Sequence, residues 1–286
     1  MTLRFIDLFA GIGGFHLAFH NANAFCVFAS EWNKEARKTY EANFYKVNPE
    51  MFETGQFVGD ITKVDKQSIP DFDVLTGGFP CQPFSQAGLK KGFDDLRGTL
   101  FFDIAEIIRV KQPAAYFLEN VRHLYNHEGG RTFDTIKRVL TEDLGYSLQE
   151  FVVKASDHGL PQLRPRLFMI GFKDPKLRIT HPPKRKLAFT MSDVFQGQVS
   201  RDVGYTLRAG GRGSGVGDRR NWDSYLVEGQ ERRLTPNEGK LMQGFPENFQ
   251  FPVSKTSAMK QLGNSVAVWA IEDYAREIVK VLEGKN

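Results

Sequence analysis

Apolar residues recur along this chain in alternating rhythms. Leu3-Arg4-Phe5-Ile6-Asp7-Leu8-Phe9 is a short apolar run that reads as a first strand. Ala10-Gly11-Ile12-Gly13-Gly14 reads as a turn, and Phe15, Ala18, Phe19 and Ala22 fall on one face of a helix. The same order repeats: a strand over residues 24–29, then a helix capped by Asn33 with Ala36, Tyr40 and Phe44 inward. A third strand ends at Gly59-Asp60-Ile61 and a fourth is Phe72-Asp73-Val74-Leu75. The pattern then predicts helices over residues 99–110 and 132–144. It predicts strands over 114–118, 148–155 and 166–172. Such alternation predicts an α/β fold with a mostly parallel, doubly wound sheet. The pattern does not give the order of its strands.

The rhythm changes near residue 174. His181-Pro182-Pro183-Lys184-Arg185-Lys186 reads as a linker, and no helical period is evident from there to about 233. This segment holds Gly210-Gly211-Arg212-Gly213-Ser214-Gly215-Val216-Gly217. The plainer reading is a disordered glycine-rich linker. Apolar pieces on either side, Tyr205-Thr206-Leu207 and Tyr225-Leu226-Val227, favour a small, loop-rich β module. Helical spacing returns at Ile271, Tyr274, Ala275, Ile278, Val281 and Leu282, a face that needs the first domain to cover it.

Composition narrows the class only slightly. The 286 residues are 41% hydrophobic and 25% charged, as in an ordinary soluble domain with one sizeable core. A net charge of +4 permits a polyanionic partner without requiring one. Two cysteines make no disulfide framework, and no apolar run reaches the ~20 residues of a membrane span. With no secretory pattern before the first strand, the expected location is cytoplasmic, with no membrane partner.

Several positions could carry chemistry. Gly11, Gly13 and Gly14 let a ligand approach the backbone after the first strand. Glu31 follows about 20 residues later, where a carboxylate can accept from ribose hydroxyls. Trp32 can stack on an adenine, and Asp60 can accept from its amino group. Alone, each has a plainer role as rim packing or a turn cap. Gly11-Ile12-Gly13-Gly14-Phe15-His16 departs from G-x-G-x-x-G, which disfavours a dinucleotide and favours another adenosine ligand. Cys81, between Pro80 and Gln82-Pro83 on the loop after the fourth strand, is the candidate nucleophile. Cys26, in a strand, reads as core. Glu119 ends the next strand, facing the same crevice. Arg164 and Arg166, two apart in an extended segment, point to one face.

Together these residues resemble the cytosine-C5 DNA methyltransferases of bacterial type II restriction–modification systems. The likeness runs in order through residues 5–15, Glu31-Trp32, Gly59-Asp60-Ile61, Pro80-Cys81-Gln82 and Glu119-Asn120-Val121. It continues through Gln162–Arg166, Arg233–Glu238, Gln243-Gly244-Phe245-Pro246 and Gly263-Asn264-Ser265-Val266. One departure is Ala267-Val268-Trp269-Ala270, where many members carry a proline.

The resemblance implies a Rossmann-like catalytic domain over residues 1–178 and a target-recognition domain over 179–232. Residues 233–286 would form a hinge and a helix returning to the catalytic domain. It implies S-adenosylmethionine as methyl donor, held by Phe9, Gly11, Ile12, Gly14, Glu31, Trp32, Asp60, Ile61, Pro80, Leu100, Asn264, Ser265 and Val266. No metal is expected. Cys81 would attack a flipped-out cytosine and Glu119 would relieve charge on the ring. Arg164 would hold the base near O2, supported by Arg166. Residues 82–99 would form a lid on DNA through Ser85, Lys90, Lys91 and Arg97, with Arg208, Arg212, Arg219 and Arg220 touching DNA from the recognition module. The implied partner is double-stranded DNA bound by a monomer, with a cognate restriction endonuclease as a functional, not physical, counterpart. Three other readings are weighed: the same reaction on tRNA, an NAD-dependent oxidoreductase, and a binding protein with a dead site. Phe79-Pro80-Cys81 and the arginine-rich module favour DNA over tRNA. The glycine spacing disfavours NAD, and Cys81, Glu119 and both arginines argue against a dead site.

Overall fold

A computed structural model describes residues 2–80 and 99–284. Cys81, Ser85, Lys90, Lys91 and Arg97 lie outside the described residues, and of the expected lid only Thr99 lies within them. The first half is the expected alternation. It runs β1 (Arg4–Leu8), α1 (Gly14–Asn21), β2 (Phe25–Ser30), α2 (Lys34–Phe44), α3 (Pro49–Glu53), β3 (Phe57–Val58), β4 (Val74–Gly78), α4 (Leu100–Lys111) and β5 (Ala115–Val121). Then follow α5 (Arg131–Arg138), extended by a π turn at Val139–Asp143, β6 (Gln149–Val153) and β7 (Arg166–Phe172). Local chemistry sets several boundaries. Asn33 caps α2 by accepting from Glu35 N and Ala36 N, and Thr99 caps α4 by accepting from Phe102 N.

The seven strands lie in the order β3-β2-β1-β4-β5-β7-β6. Pairing is parallel from β3 to β5, whereas β7 runs antiparallel to both β5 and β6. The chain leaves β1 toward β2 on one side and later toward β4 on the other. Ligands bind at such a switch point, beyond the carboxyl ends of the strands.

Alternate side chains face opposite layers. Phe5, Phe117, Phe168 and Ile170 join a core with α1, α2 and the C-terminal helix, while Ile6, Leu118, Leu167 and Met169 join one with α4 and α5. The turn into α1 needs glycine at Gly13. Its φ is 86°, and an added Cβ would meet the Phe44 ring at 2.1 Å.

The second half contains more than the expected β module. After α6 (Met191–Phe195) comes a hairpin of β8 (Ser224–Val227) and β9 (Gln230–Arg233), then α7 (Pro236–Met242), α8 (Lys255–Asn264) and α9 (Val268–Leu282). Helix α6 has five residues, too few to show a helical period in the sequence, and a Thr190–Asp193 capping box marks its start. Helix α9 packs on α1, as its apolar face requires, with Ile271, Tyr274, Ala275 and Ile278 buried. Burial of each isoleucine here contributes about 1.5–3 kcal/mol. The cluster that holds Phe5 also takes in Val194, Phe195, Trp222 and Tyr225, so the glycine-rich region shares the main core. Among the described residues, no helix is long and apolar enough to cross a membrane.

Candidate active site

A cavity of about 700 Å³ opens at the switch point. Its walls come from the ends of β1, β2, β4 and β5, from the start of α4, and from α8. The volume falls in the range of small-molecule sites.

One end is shaped for a polar, ring-bearing ligand. Phe9, just after β1, adopts φ 55°, a left-handed conformation uncommon for a bulky residue. Gly11 follows at φ 56°. The buried Glu31 carboxylate ties the two strand ends together: Oε2 accepts from Gly11 N at 2.9 Å and Oε1 from Asn33 N at 2.7 Å. Each oxygen keeps a lone pair for a ligand hydroxyl. Burial raises the Glu31 pKa above its usual value, against the backbone donors of Asn33 and Gly11 and the charge of Arg37. Trp32 stands 79% exposed at the rim. Asp60 lines the cavity and also caps the turn that follows, accepting from Thr62 N and Thr62 Oγ1.

The other end carries a charge pair. Arg166 Nε lies 2.8 Å from Glu119 Oε1. Strand direction explains it. Because β7 is antiparallel, its first residue Arg166 pairs with Val121 at the carboxyl end of β5, and Glu119 pairs with Phe168. Arg166 and Glu119 are therefore diagonal neighbours on one face. Pro80, the residue before Cys81, lines the same cavity.

Most expected cofactor residues meet here. Phe9, Gly11, Ile12, Glu31, Trp32, Asp60, Ile61, Pro80, Leu100 and Asn264 line the cavity. Gly14, Ser265 and Val266 do not; Val266 packs against Gly14, where an added Cβ would come 2.5 Å from its side chain. Ser265 and Val266 back the start of α1 at Gly14.

The expected roles of the two arginines need correction. Arg164, expected at the base, is only 1% exposed and is absent from the cavity wall. Its guanidinium donates to the carbonyls of Leu207, Gly263 and Ser265, and its backbone N–H to Thr206 Oγ1. Its φ of 33° reverses the side chain's direction, so the simple two-residue alternation assumed for an extended segment fails. Arg166, expected as support, is the arginine inside the cavity.

Two residues escaped the sequence reading. Gln162 Nε2 donates to Met242 O, and its Oε1 accepts from Leu207 N, joining three segments with Arg164. Asn120 Nδ2 donates to Phe79 O at 2.9 Å, fixing the approach to Pro80. Both sat inside quoted motifs, but nothing in their spacing gave them a partner.

The recognition-module arginines divide. Arg212 Nε lies 2.9 Å from the fully buried Asp223, which Arg233 also meets at 3.2 Å, and Arg212 donates to Leu234 O. Arg220 is paired with Asp218 at 2.7 Å. Of these two, both expected at DNA, Arg212 is held by a buried carboxylate, whereas Arg220 makes a surface pair and stays 76% exposed. Arg208 and Arg219 are exposed.

Known proteins resemble this chain over nearly its whole length. The family model described as C-5 cytosine-specific DNA methylase matches residues 3–203 and 192–280. Type II methyltransferase M.SsoII of Shigella sonnei is 44% identical over 98% of this chain and 81% of its own length. M.HpaII of Haemophilus parainfluenzae is 41% identical over 97% of this chain and 89% of its own. The crystal structure of a Spodoptera frugiperda DNMT2 mutant shares the fold, with a TM-score of 0.73 at 20% identity over 99% of this chain and 100% of that one.

Proposed function

The chain belongs to the C-5 cytosine-specific DNA methylase family, and from that premise we propose that it methylates C5 of a flipped-out cytosine in a specific duplex sequence through a covalent Cys81 adduct. Family and fold make it a DNA (cytosine-5-)-methyltransferase of the type II restriction–modification class. The proposal adds the chemical route, the residues and the division of the chain. It assigns residues 1–178 to catalysis, 179–232 to recognition and 233–286 to the hinge and returning helix.

The observation that carries it is the two-ended cavity, with Glu31 and Trp32 at one end and the Glu119–Arg166 pair beside Pro80 at the other. The first end fits S-adenosylmethionine. Glu31 offers acceptors to the ribose, Phe9 and Trp32 offer faces to the adenine, and Asp60 offers an acceptor to its amino group. Bound there, S-adenosylmethionine supplies an electrophilic methyl and leaves as S-adenosylhomocysteine.

The chain's own residues do the rest. Cytosine C5 is a weak nucleophile. The Cys81 thiolate adds to C6, forming an S–C6 bond and pushing electron density toward C5. Glu119 hydrogen-bonds the N3 and amino edge, where charge develops, and Arg166 fixes that carboxylate while facing O2. After C5 carries the methyl, loss of its proton and breakage of the S–C6 bond release Cys81. A thiolate cannot reach C6 inside a stacked duplex, so the base must leave the helix.

Bisulfite sequencing of plasmid DNA from cells expressing the protein tests the reading. Protected cytosines within one recurring sequence are expected. Fully converted plasmid, from cells with soluble protein, would refute it.

A further inference from the structure

We propose that Arg208 grips a DNA phosphate flanking the flipped cytosine, as a positioning residue for base extrusion and not a reader of sequence. The inference rests on the methyltransferase reading above and goes beyond it by assigning one arginine one chemical role.

Availability comes first. Of the four arginines in the glycine-rich segment, Arg212 is held by the buried Asp223, and Arg220 already shares its charge with Asp218 at the surface. The Arg208 guanidinium has no ion pair or hydrogen bond among the described residues and is exposed. Arg219 is also free, but it lies in a loop whose stem is closed by Trp222 Nε1 donating to Gly210 O.

Anchoring comes second. Leu207, the residue before Arg208, is held at both backbone ends: its N–H by Gln162 Oε1 and its carbonyl by Arg164. The Arg208–Ala209 peptide lies directly against Gly263, where a Cβ would meet Arg208 C at 2.2 Å and Ala209 N at 2.4 Å. A long, exposed side chain thus springs from an anchored base.

Location decides the role. Gly263 lines the cavity that holds Glu119 and Arg166, so Arg208 starts beside the cavity wall. Extrusion rotates a nucleotide about its backbone. Its flanking phosphates therefore stay near the entrance to the pocket, while neighbouring base pairs remain stacked in the duplex. An exposed guanidinium that starts from backbone beside the cavity wall is within a long side chain's reach of such phosphates, and arginine can meet two phosphate oxygens at once.

The test measures DNA affinity against salt for wild type, R208A and R208K, on the methylated site and on scrambled duplexes. A second arm replaces the phosphate on either side of the target cytosine with neutral methylphosphonate. R208A is expected to lower the slope of log K against log salt by about 0.9. It should weaken binding by a similar factor on every duplex and leave the pattern of methylated sites unchanged. R208K should retain the slope. Methylphosphonate at one flanking position should reproduce the loss in wild type and add nothing in R208A. An unchanged slope in R208A would overturn the proposal, and so would relaxed preference at one base position. Wild-type protein that methylates no DNA would remove the underlying reading instead.

Discussion

Glu31 joins a structural role to the ligand role proposed for it. Its oxygens accept from Gly11 and Asn33, which locks the ends of β1 and β2 together. Burial raises its pKa above the ordinary 4.5. A group raised on folding contributes stability that is fully present below its unfolded pKa and lost as pH rises through the folded value. Ionised Glu31 therefore destabilises the ligand-free protein at neutral pH, and ribose hydroxyls donating to it would offset that penalty. Acidification should remove this advantage. By calorimetry, affinity for S-adenosylhomocysteine is expected to fall as pH is lowered, with the fall starting above 4.5. E31Q should lack that window and bind about 5- to 150-fold more weakly at neutral pH, the equivalent of about 1–3 kcal/mol. Identical pH profiles for the two proteins would contradict this role. Glu31 was legible from its distance after the glycine turn. The places of Arg164 and Arg166 were not, because residue spacing does not reveal a positive φ at Arg164.

At the level of elements, the antiparallel entry of β7 is what completes the site. A parallel strand in that place would put its first residue beside the amino end of β5, far from Glu119. The apolar run over residues 166–172 announced the strand, but a run of that kind carries no direction. The segment Gly263–Ser265 is a second junction. Its carbonyls accept from Arg164, and Gly263 receives the Arg208–Ala209 peptide. A side chain at Gly263 would press on backbone, which cannot swing aside. Gly263→Ala is expected to lower stability by about 1–3 kcal/mol. It should slow methylation of DNA by a larger factor than it weakens S-adenosylhomocysteine binding. Thermal melting and steady-state kinetics check both. An unchanged melting temperature with unchanged turnover would show that the contact is not tight.

Over the whole molecule, most of the architecture was readable from strand–helix alternation, and α9 from its single apolar stripe. The glycine-rich module was less so. Its order comes from the buried Trp222 and from Asp223 held between two arginines, contacts between positions with no regular spacing. The alignment with M.SsoII runs over 319 positions against 286 residues here, so that relative carries at least 33 residues without a counterpart. The two stretches of the family match meet at residues 192–203, inside the segment proposed for recognition. The hydrogen bonds of Gln162 and Arg164 tie this segment to the cavity wall, which suits the proposal that recognition and extrusion share one anchor. The central claim remains covalent attack by Cys81 on a cytosine of duplex DNA. Its most direct test is a duplex carrying 5-fluorocytosine at the target position, incubated with S-adenosylmethionine and protein and analysed by denaturing electrophoresis and intact mass. Wild type should form a stable complex of protein, one DNA strand and one methyl group, and C81A should form none. An equal yield of adduct from C81A would contradict the account.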